Sequence, residues 1–452
     1  MATRDPVAPV QVWSSCRDDH KRSLLRCGWL CVLQGDSMTL RTFASLRVRD
    51  YRLLWLGQLS TSMGQWMDQV TRGWLIYQIT GSALHLGLAT AVRGLPLLFF
   101  GIIAGAVADR SGRKAQLIIA QVTNIVCNVS LATLVLTRHI QPWHVYVTGF
   151  IVGTAQAFQQ PARQTLISDI VGPRQLMNAL ALNATALNSA RSVGPALAGL
   201  LIAFMGVHGS YYVQTAMYVL ATLWTVQMAV PERSPESVRA RHEPFLRSIT
   251  AGLAFVARER DIRTLLILAH GPLTLGMPYT SLLPIFAIDV LHGGAQLQGL
   301  LLMLVGIGSL AGALIVASMQ RRYGYGLAVV VGALAFGVML LLFASARVVP
   351  LAAVCALGIG LCSVTYQTQN QTLLQILAPR HMRGRVMSIY LLNRGLLPLG
   401  TLLAGALAEH FGAPRALHIM SLLVLGVVLG VVLLTPRFLT LRVEFRDRVP
   451  TP

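Results

Sequence analysis

Charged residues are scarce in this sequence. Aspartate, glutamate, lysine and arginine make up 12% of its 452 residues, against roughly 25% in soluble globular domains. This scarcity argues against a disordered chain and a soluble enzyme, because both need polar side chains to contact water. The six cysteines include no CxxC pair, which argues against a disulfide framework or a thiolate metal site. No segment matches the Gly-x4-Gly-Lys-Ser/Thr loop that holds nucleotide phosphates, so energy from ATP would need a separate subunit. We expect no cofactor and no metal.

Apolar residues, in contrast, are abundant and come in long runs. They make up 54% of the chain, and the runs recur at regular intervals from Tyr51 onward. Each run can cross about 30 Å of hydrocarbon as a helix, the structure that satisfies its own backbone groups in lipid. The sequence therefore predicts an all-α membrane protein with twelve transmembrane helices, at 53–79, 84–108, 115–137, 142–162, 179–204, 208–229, 264–289, 295–318, 326–346, 350–372, 386–409 and 414–435.

The basic residues indicate how the chain is oriented. Lysine and arginine number 37 and aspartate and glutamate 17, which leaves a net charge of +20. Loops on the side of the N-terminus carry 25 basic residues, Arg163 and Arg174 among them, whereas the opposite side carries three. The positive-inside rule then predicts a multi-pass protein of the inner (plasma) membrane with both termini cytoplasmic. Because topology explains the charge, we expect no nucleic-acid partner.

A polar stretch divides the predicted helices six and six. Leu246, Ile249, Leu253 and Val256 follow helical spacing in this stretch, which predicts an amphipathic helix resting on the inner leaflet. The predicted organisation is a cytoplasmic, disordered extension over 1–50, a six-helix half over 51–230, a linker over 231–263, a second half over 264–436 and a cytoplasmic tail over 437–452.

Short repeats relate the two halves. Arg191 and Pro195 recur as Arg394 and Pro398 at an offset of 203 residues. A duplicated six-helix unit is typical of transporters whose substrate cavity lies between the halves. Pairs of glycines four residues apart indicate close helix packing, at Gly101 and Gly105, Gly308 and Gly312, and Gly426 and Gly430.

A basic hairpin between the second and third predicted helices carries a specific motif. It reads Gly-x3-Asp-Arg-x-Gly-Arg-Lys, with defining positions at Gly105, Asp109, Arg110, Gly112, Arg113 and Lys114. This resembles the cytoplasmic signature of the major facilitator superfamily. The resemblance implies two six-helix repeats around a central cavity. It also implies that the hairpin latches the two halves together on the cytoplasmic side in the outward-facing state.

Further segments narrow the resemblance to one branch. Residues 158–162 (Phe-Gln-Gln-Pro-Ala), 190–199 and 383–390 are similar to the drug-and-siderophore exporters of the transmembrane secretion effector type. Gly194, Pro195 and Gly199 resemble the fifth-helix motif of exporters. The fourth predicted helix lacks the arginine that many proton-coupled drug antiporters carry there. This departure weakens the inference that the chain couples transport to protons in the same way as those antiporters.

Few ionisable residues fall within the predicted helices, and by default they face the bundle interior. Asp68 and Arg72 are four residues apart, and hence on one helix face. Asp68 either carries protons or is a permanently ionised partner of an arginine. Arg191 and Arg394 either flank an anionic substrate or support backbone carbonyls freed by the nearby prolines. The candidates for lining a substrate cavity are Gln65, Gln69, Arg93, Asn188, Arg191, Gln367 and Arg394.

The sequence as a whole indicates a secondary active transporter and no enzyme, because no catalytic cluster stands out within the helices. We expect it to export a small amphipathic molecule, such as a drug, siderophore or related metabolite, by alternating access with proton antiport. It would act as a monomer in the bilayer, with that molecule and protons as its partners. The alternatives are a facilitator or importer of a small solute, and a transporter-like receptor without flux.

Overall fold

The structure, a computed structural model, describes residues 43–110, 112–229, 254–318, 325–379, 382–391 and 393–440. Most of the predicted extension, the first part of the predicted amphipathic linker and most of the predicted tail lie outside these ranges. For residues 101–110, which include Gly105, Asp109 and Arg110, and for Arg394, the structure describes the backbone only.

Helices make up the first half of the chain. Helix α1 spans Arg49–Thr80, α2 spans Ala83–Arg110 and α3 spans Arg113–Leu136. A helical stretch over Pro142–Gln227 follows, interrupted at Gly172 and Gly206, whose φ angles are 68° and 73°. Glycine takes this left-handed backbone without steric cost, so the stretch forms three helices, α4 (142–171), α5 (173–205) and α6 (207–227).

The second half begins with a broken helix. Helix α7 has one part over Arg260–Gly276 and another over Tyr279–Ile285, followed by a π-helical turn over Phe286–Val290. Together these parts form one stretch over Arg260–Val290 that is long and apolar enough to cross a bilayer, which agrees with the predicted span at 264–289. The remaining helices are α8 (Ala295–Ser318), α9 (Tyr325–Ser345), α10 (Val349–Leu377), α11 (Arg383–Leu391 with Asn393–Phe411) and α12 (Ala413–Leu434).

An all-α membrane protein is confirmed, but the number of spans is not settled by length and composition. In the described residues, nine helical stretches are long and apolar enough to cross a bilayer. Helices α1 and α4 fall outside that set, and α5 and α6 count as one stretch. The count of twelve stays a prediction.

Several glycine-mediated contacts join the halves, and two of them involve the repeat-related prolines. In α2, a Cβ on Gly94 would lie 2.6 Å from the Pro398 ring of α11. In α8, a Cβ on Gly299 would lie 2.5 Å from the Pro195 carbonyl oxygen of α5. The repeat-related prolines thus occupy corresponding interfaces, α2 with α11 and α5 with α8.

The predicted glycine packing pairs differ in outcome. A Cβ on Gly308 or Gly312 would lie 2.0 and 2.5 Å from backbone oxygens of α10, so this pair does allow close packing. Around Gly426 and Gly430 nothing lies within 4 Å of such a Cβ, so the prediction for this pair is wrong.

Candidate substrate cavity and buried ion-pair site

A central cavity lies between the two halves. Its volume is about 380 Å³, within the range of small-molecule sites. Three of the predicted cavity residues, Gln69, Arg191 and Gln367, line it. The other lining residues are mainly apolar and come from both halves: Trp66, Pro195, Leu273, Met277, Tyr279, Thr280, Leu302, Val305 and Leu397.

Among the described residues that line this cavity, Arg191 is the one with a charged side chain. Its guanidinium carbon lies 5.6 Å from the centroid of the Trp66 ring, a cation–π contact that holds the side chain against α1. Gly194 permits this approach, because a Cβ there would lie 2.8 Å from Trp66 Cβ. The contact leaves the hydrogen-bonding edge of Arg191 available to a ligand with an acceptor group.

Asp68, which precedes the cavity-lining Gln69 on α1, lies between two arginines. Its Oδ1 lies 3.1 Å from Arg72 Nη2, and its Oδ2 lies 3.0 Å from Arg93 Nη1. Arg72 also donates to the Val145 carbonyl at 3.0 Å and to Thr148 Oγ1 at 2.9 Å. The three charged side chains, which we name the buried triad, therefore join α1, α2 and α4. Arg93, predicted to line the cavity, belongs to the triad instead.

The triad has one negative and two positive charges. Asp68 and Arg72 have side-chain exposures of 5% and 4%, and Arg93 of 17%. Two guanidinium groups at this distance strongly favour the carboxylate form of Asp68. Protonation would leave two arginines close together without an anion, unless one of them moves away. Arg72 shares a helix with Asp68, so Arg93 is the arginine that a rearrangement can separate.

Arg163 was counted with the cytoplasmic loops on sequence grounds, and the structure corrects this. The residue lies within α4 and is 5% exposed. Its Nη1 donates to Thr61 Oγ1 at 2.9 Å and to Gln58 Oε1. Helix α4 runs on to residue 171, beyond the predicted end at 162, because nothing between Pro161 and Gly172 interrupts it.

The halves meet at the end of the bundle where α1 finishes, which we name the distal face. There Glu409 of α11 accepts hydrogen bonds from Ser82 Oγ at 2.8 Å and from the Leu84 N–H at 3.1 Å. Asp289 of α7 accepts one from the Tyr77 hydroxyl. In each case a carboxylate of the second half accepts from a donor of the first half, so these contacts join the two halves at the distal face.

The described part of the basic hairpin acts within the first half. Arg113 forms an ion pair with Asp169 of α4. Lys114 Nζ donates to the carbonyl oxygens of Val226 and Met228, at 2.8 and 2.7 Å, at the end of α6. Gly112 begins α3 in an extended conformation, with φ −60° and ψ 112°. The described contacts of the motif hold α3 to α4 and α6.

The helix-five motif forms part of the interface between the halves. A Cβ on Gly199 would lie 2.4 Å from the Ala295 carbonyl oxygen of α8, and Pro195 lines the cavity. Of the remaining predicted cavity residues, Gln65 lines a smaller pocket beside Arg163, and Asn188 is exposed. The Arg394 side chain lies outside the described residues.

Comparison with known proteins identifies this architecture. A family model described as transmembrane secretion effector matches residues 40–452. The chain belongs to the transmembrane secretion effector family. The predicted membership of the major facilitator superfamily and of its exporter-type branch is thereby confirmed. As the family consists of transporters, the expectation that the protein is a multi-pass membrane transporter and not an enzyme is confirmed as well.

Two named transporters are among the proteins to which the chain is similar. The chain is 27% identical over 366 residues to the staphyloferrin A transporter of Staphylococcus aureus, covering 80% of this chain and 90% of the relative. It is 28% identical over 385 residues to the multidrug efflux pump Tap of Mycolicibacterium fortuitum, covering 83% and 94%. A bacterial homologue of the lysosomal transporter Spinster, solved in an inward-facing conformation, shares the fold at a TM-score of 0.70 with 13% identity, covering 90% of this chain and all of the homologue.

Proposed function

We propose that this family member exports a small amphipathic molecule by alternating access, driven by proton antiport. The observation that carries the proposal is the central cavity, which both halves line, while hydrogen bonds join the halves at the distal face. A drug, a siderophore or a related metabolite fits a cavity with mainly apolar walls and a few polar groups. The names of the relatives, one an efflux pump and the other a staphyloferrin A transporter, support this range of cargo.

The orientation is part of the proposal. The face where α1 begins would be cytoplasmic, together with both termini, in the plasma membrane, and the protein would act as a monomer. The described contacts then correspond to a transporter that is closed toward the outside. Arg113 and Lys114 lie at the cytoplasmic end in this orientation, as the positive-inside rule requires. In the opposite state, we propose, the hairpin with Asp109 and Arg110 latches the halves together.

We assign proton coupling to Asp68, with Arg72 and Arg93 controlling it. In the described state both arginines hold the carboxylate ionised. When α2 shifts relative to α1, separation of Arg93 removes one ion pair and lets the buried carboxyl group accept a proton. Arg72 stays beside Asp68 and restores the ionised state when the proton leaves. The buried triad thus links proton binding to a movement of helices.

A transport assay tests the proposal. Deletion and overexpression strains are first screened against a panel of antibiotics and dyes. The compound with the largest change in susceptibility is then followed in inverted membrane vesicles with and without a proton gradient. We expect uptake into inverted vesicles that stops when the gradient is collapsed. Uptake that does not depend on the proton gradient would instead identify a facilitator. Signalling without any transport of the compound would identify a receptor.

The variant Asp68→Asn tests the coupling residue. It should abolish gradient-driven transport while the protein still inserts, because the side chain no longer carries a proton. Since it leaves two arginines unpaired, a second variant combines Asp68→Asn with Arg93→Gln and thereby keeps the net charge of the triad. Asp261→Asn, at the start of α7, serves as a matched control. Gradient-driven transport by either Asp68 variant at the wild-type rate would contradict the assignment.

A further inference from the structure

The polar side chains of the central cavity are unused within the described part of the chain. Arg191 is half-buried and stacks on Trp66, but its guanidinium forms no hydrogen bond and no ion pair with a described residue. The side-chain amides of Gln69 and Gln367, one from each half, have no hydrogen-bond partner there either. Polar groups in a membrane interior are costly unless a partner satisfies them. The cavity therefore presents free donors from both halves to a ligand.

The charge next to the cavity is positive in both protonation states of Asp68. Asp68 precedes the cavity-lining Gln69, but both of its carboxylate oxygens are already paired with Arg72 and Arg93. The buried triad carries one net positive charge when Asp68 is ionised and two when it is protonated. Arg191 adds a further positive charge on the cavity wall. A cation in the cavity therefore finds no free carboxylate at Asp68.

The other acidic residues of the helices lie far from the cavity. Apart from Asp68, every acidic residue within the bounds of α1–α12 falls in the first or last three residues of its helix, at Asp50, Asp109, Asp169, Asp261, Asp289 and Glu409. Asp289 and Glu409 are exposed at the distal face. Tyr77, the donor to Asp289, lies about 12 Å beyond Gln69 along α1 at 1.5 Å per residue. The positive charge of the cavity is thus not balanced by these carboxylates.

Charge and apolar surface lie on opposite walls of the cavity. Arg191 belongs to α5 and stacks on α1, so the charged wall comes from the first half. Helices α7, α8 and α11 of the second half contribute the aliphatic lining, Leu273, Met277, Leu302, Val305 and Leu397. The cavity, at about 380 Å³, has room for a molecule larger than the group that pairs with a guanidinium. A ligand with one charged end and an apolar body fits this arrangement.

We propose that the central cavity selects organic anions and discriminates against organic cations. The free edge of the Arg191 guanidinium would donate paired N–H groups to a carboxylate, sulfonate or phosphate. Gln69 and Gln367 would each add an amide donor, and the second-half wall would hold the apolar body. A cation is disfavoured because like charges repel more strongly in a protein interior than in water. That the transported cargo is therefore anionic rests on the proposed function, whereas the binding preference does not.

Three probes that share a naphthalene body test the preference without transport. At neutral pH naphthylacetate is an anion, naphthylethanol is neutral and naphthylethylammonium is a cation. Purified full-length protein in nanodiscs of zwitterionic lipid is titrated with each probe by calorimetry, and empty nanodiscs give the background. We expect the anion to bind about tenfold more tightly than the cation, with the neutral probe between them, since one charge-assisted hydrogen bond is gained.

Two variants locate the preference in the cavity. Arg191→Gln should reduce it to about threefold or less, whereas Arg415→Gln, which removes an exposed arginine at the distal face, should retain it. Gln69→Glu leaves Arg191 in place and adds a carboxylate of similar size to the wall, so it keeps the test decisive if Arg191→Gln does not fold. We expect Gln69→Glu to bind the cation at least as tightly as the anion.

Three results would overturn the anion site. The first is equal binding of the anion and the cation by the wild type, and the second is no binding of naphthylacetate. The third is an unchanged preference in Arg191→Gln or in Gln69→Glu.

The charge of the cargo is tested in the inverted-vesicle assay at zero membrane potential. Anions should be taken up about tenfold faster than cations of similar size. Equal uptake of anions and cations would overturn the selection of cargo by charge and leave the proposed export in place. If the binding preference is present and depends on Arg191 while no compound of any charge is transported, the anion site stands and the proposed function fails.

Discussion

The two halves of the molecule share a helical plan but differ in what they bury. The first half buries Asp68, Arg72 and Arg163, whereas the buried polar residues of the described second half are all uncharged. These are Thr264, Ser281, Gln298, Ser309, Ser363, Gln369, Asn370, Thr401 and Ser421. The carboxylates that the second half brings to the interface, Asp289 and Glu409, lie at the distal face.

This difference indicates that the two halves have different roles in transport. Ionisable groups in a membrane interior are expensive and mark the pathway of ions or substrates. Here they gather around α1, next to the cavity, while the second half contributes apolar cavity residues and the closure of the distal face. Proton binding and charge recognition are thus expected in one half and gating contacts in the other.

The largest expected effect concerns stability. Asp68→Asn leaves two arginines without their anion and should lower the free energy of unfolding by about 3–5 kcal/mol. In the second half, Asn370→Ala removes one hydrogen bond, from Nδ2 to the Leu265 carbonyl at 3.0 Å, and should cost about 1 kcal/mol. Thermal melting in detergent measures both. Equal losses of stability in the two variants would show that the buried charges of the first half contribute no more than the neutral hydrogen bonds of the second.

The next effect concerns the contact between the halves. Gly199→Val places a side chain against the Ala295 carbonyl oxygen and should destabilise the closed distal face by about 1–3 kcal/mol. Gly426→Val is the control, because its surroundings are open. Crosslinking of engineered cysteines across the distal face should fall in the first variant only. Unchanged crosslinking in Gly199→Val would refute the packing role.

Substrate recognition comes third. Arg191→Gln should raise the half-saturating concentration of an anionic substrate about tenfold, because the substrate loses one charge-assisted hydrogen bond. Gln367→Leu, on the second-half wall, should raise it only about threefold. Concentration series in the vesicle assay give both values. A larger effect of Gln367→Leu would show that the second-half wall of the cavity contributes more to substrate binding than the first-half wall.

The smallest effect concerns the distal carboxylates. Glu409→Gln keeps an acceptor for Ser82 and the Leu84 N–H but removes the negative charge. We expect the closed population to fall by about twofold to threefold, because neutral hydrogen bonds are weaker than charge-assisted ones. The same crosslinking assay reports it. A loss as large as that of Gly199→Val would make Glu409 the main element of the closure.

Sequence reasoning could predict the all-α class, the family and the Asp68–Arg72 pair, because these follow from composition, a local motif and helical periodicity. It assigned Arg93 to the cavity because no spacing rule relates residues on different helices. It misplaced Arg163 because the positive-inside rule assigns arginines to loops by default. The signal that was available is local: Gln159 and Gln160 precede Arg163, and no helix breaker follows before Gly172.

The most direct test of the account measures whether Asp68 couples protons to alternation. Spin labels on cysteines replacing His139 and Arg415, exposed distal-face positions of the two halves, report opening as a distance by pulsed electron paramagnetic resonance. The account predicts that the open population of the native protein changes with pH, and that Asp68→Asn combined with Arg93→Gln abolishes this change. A pH response that persists in the double variant would contradict it.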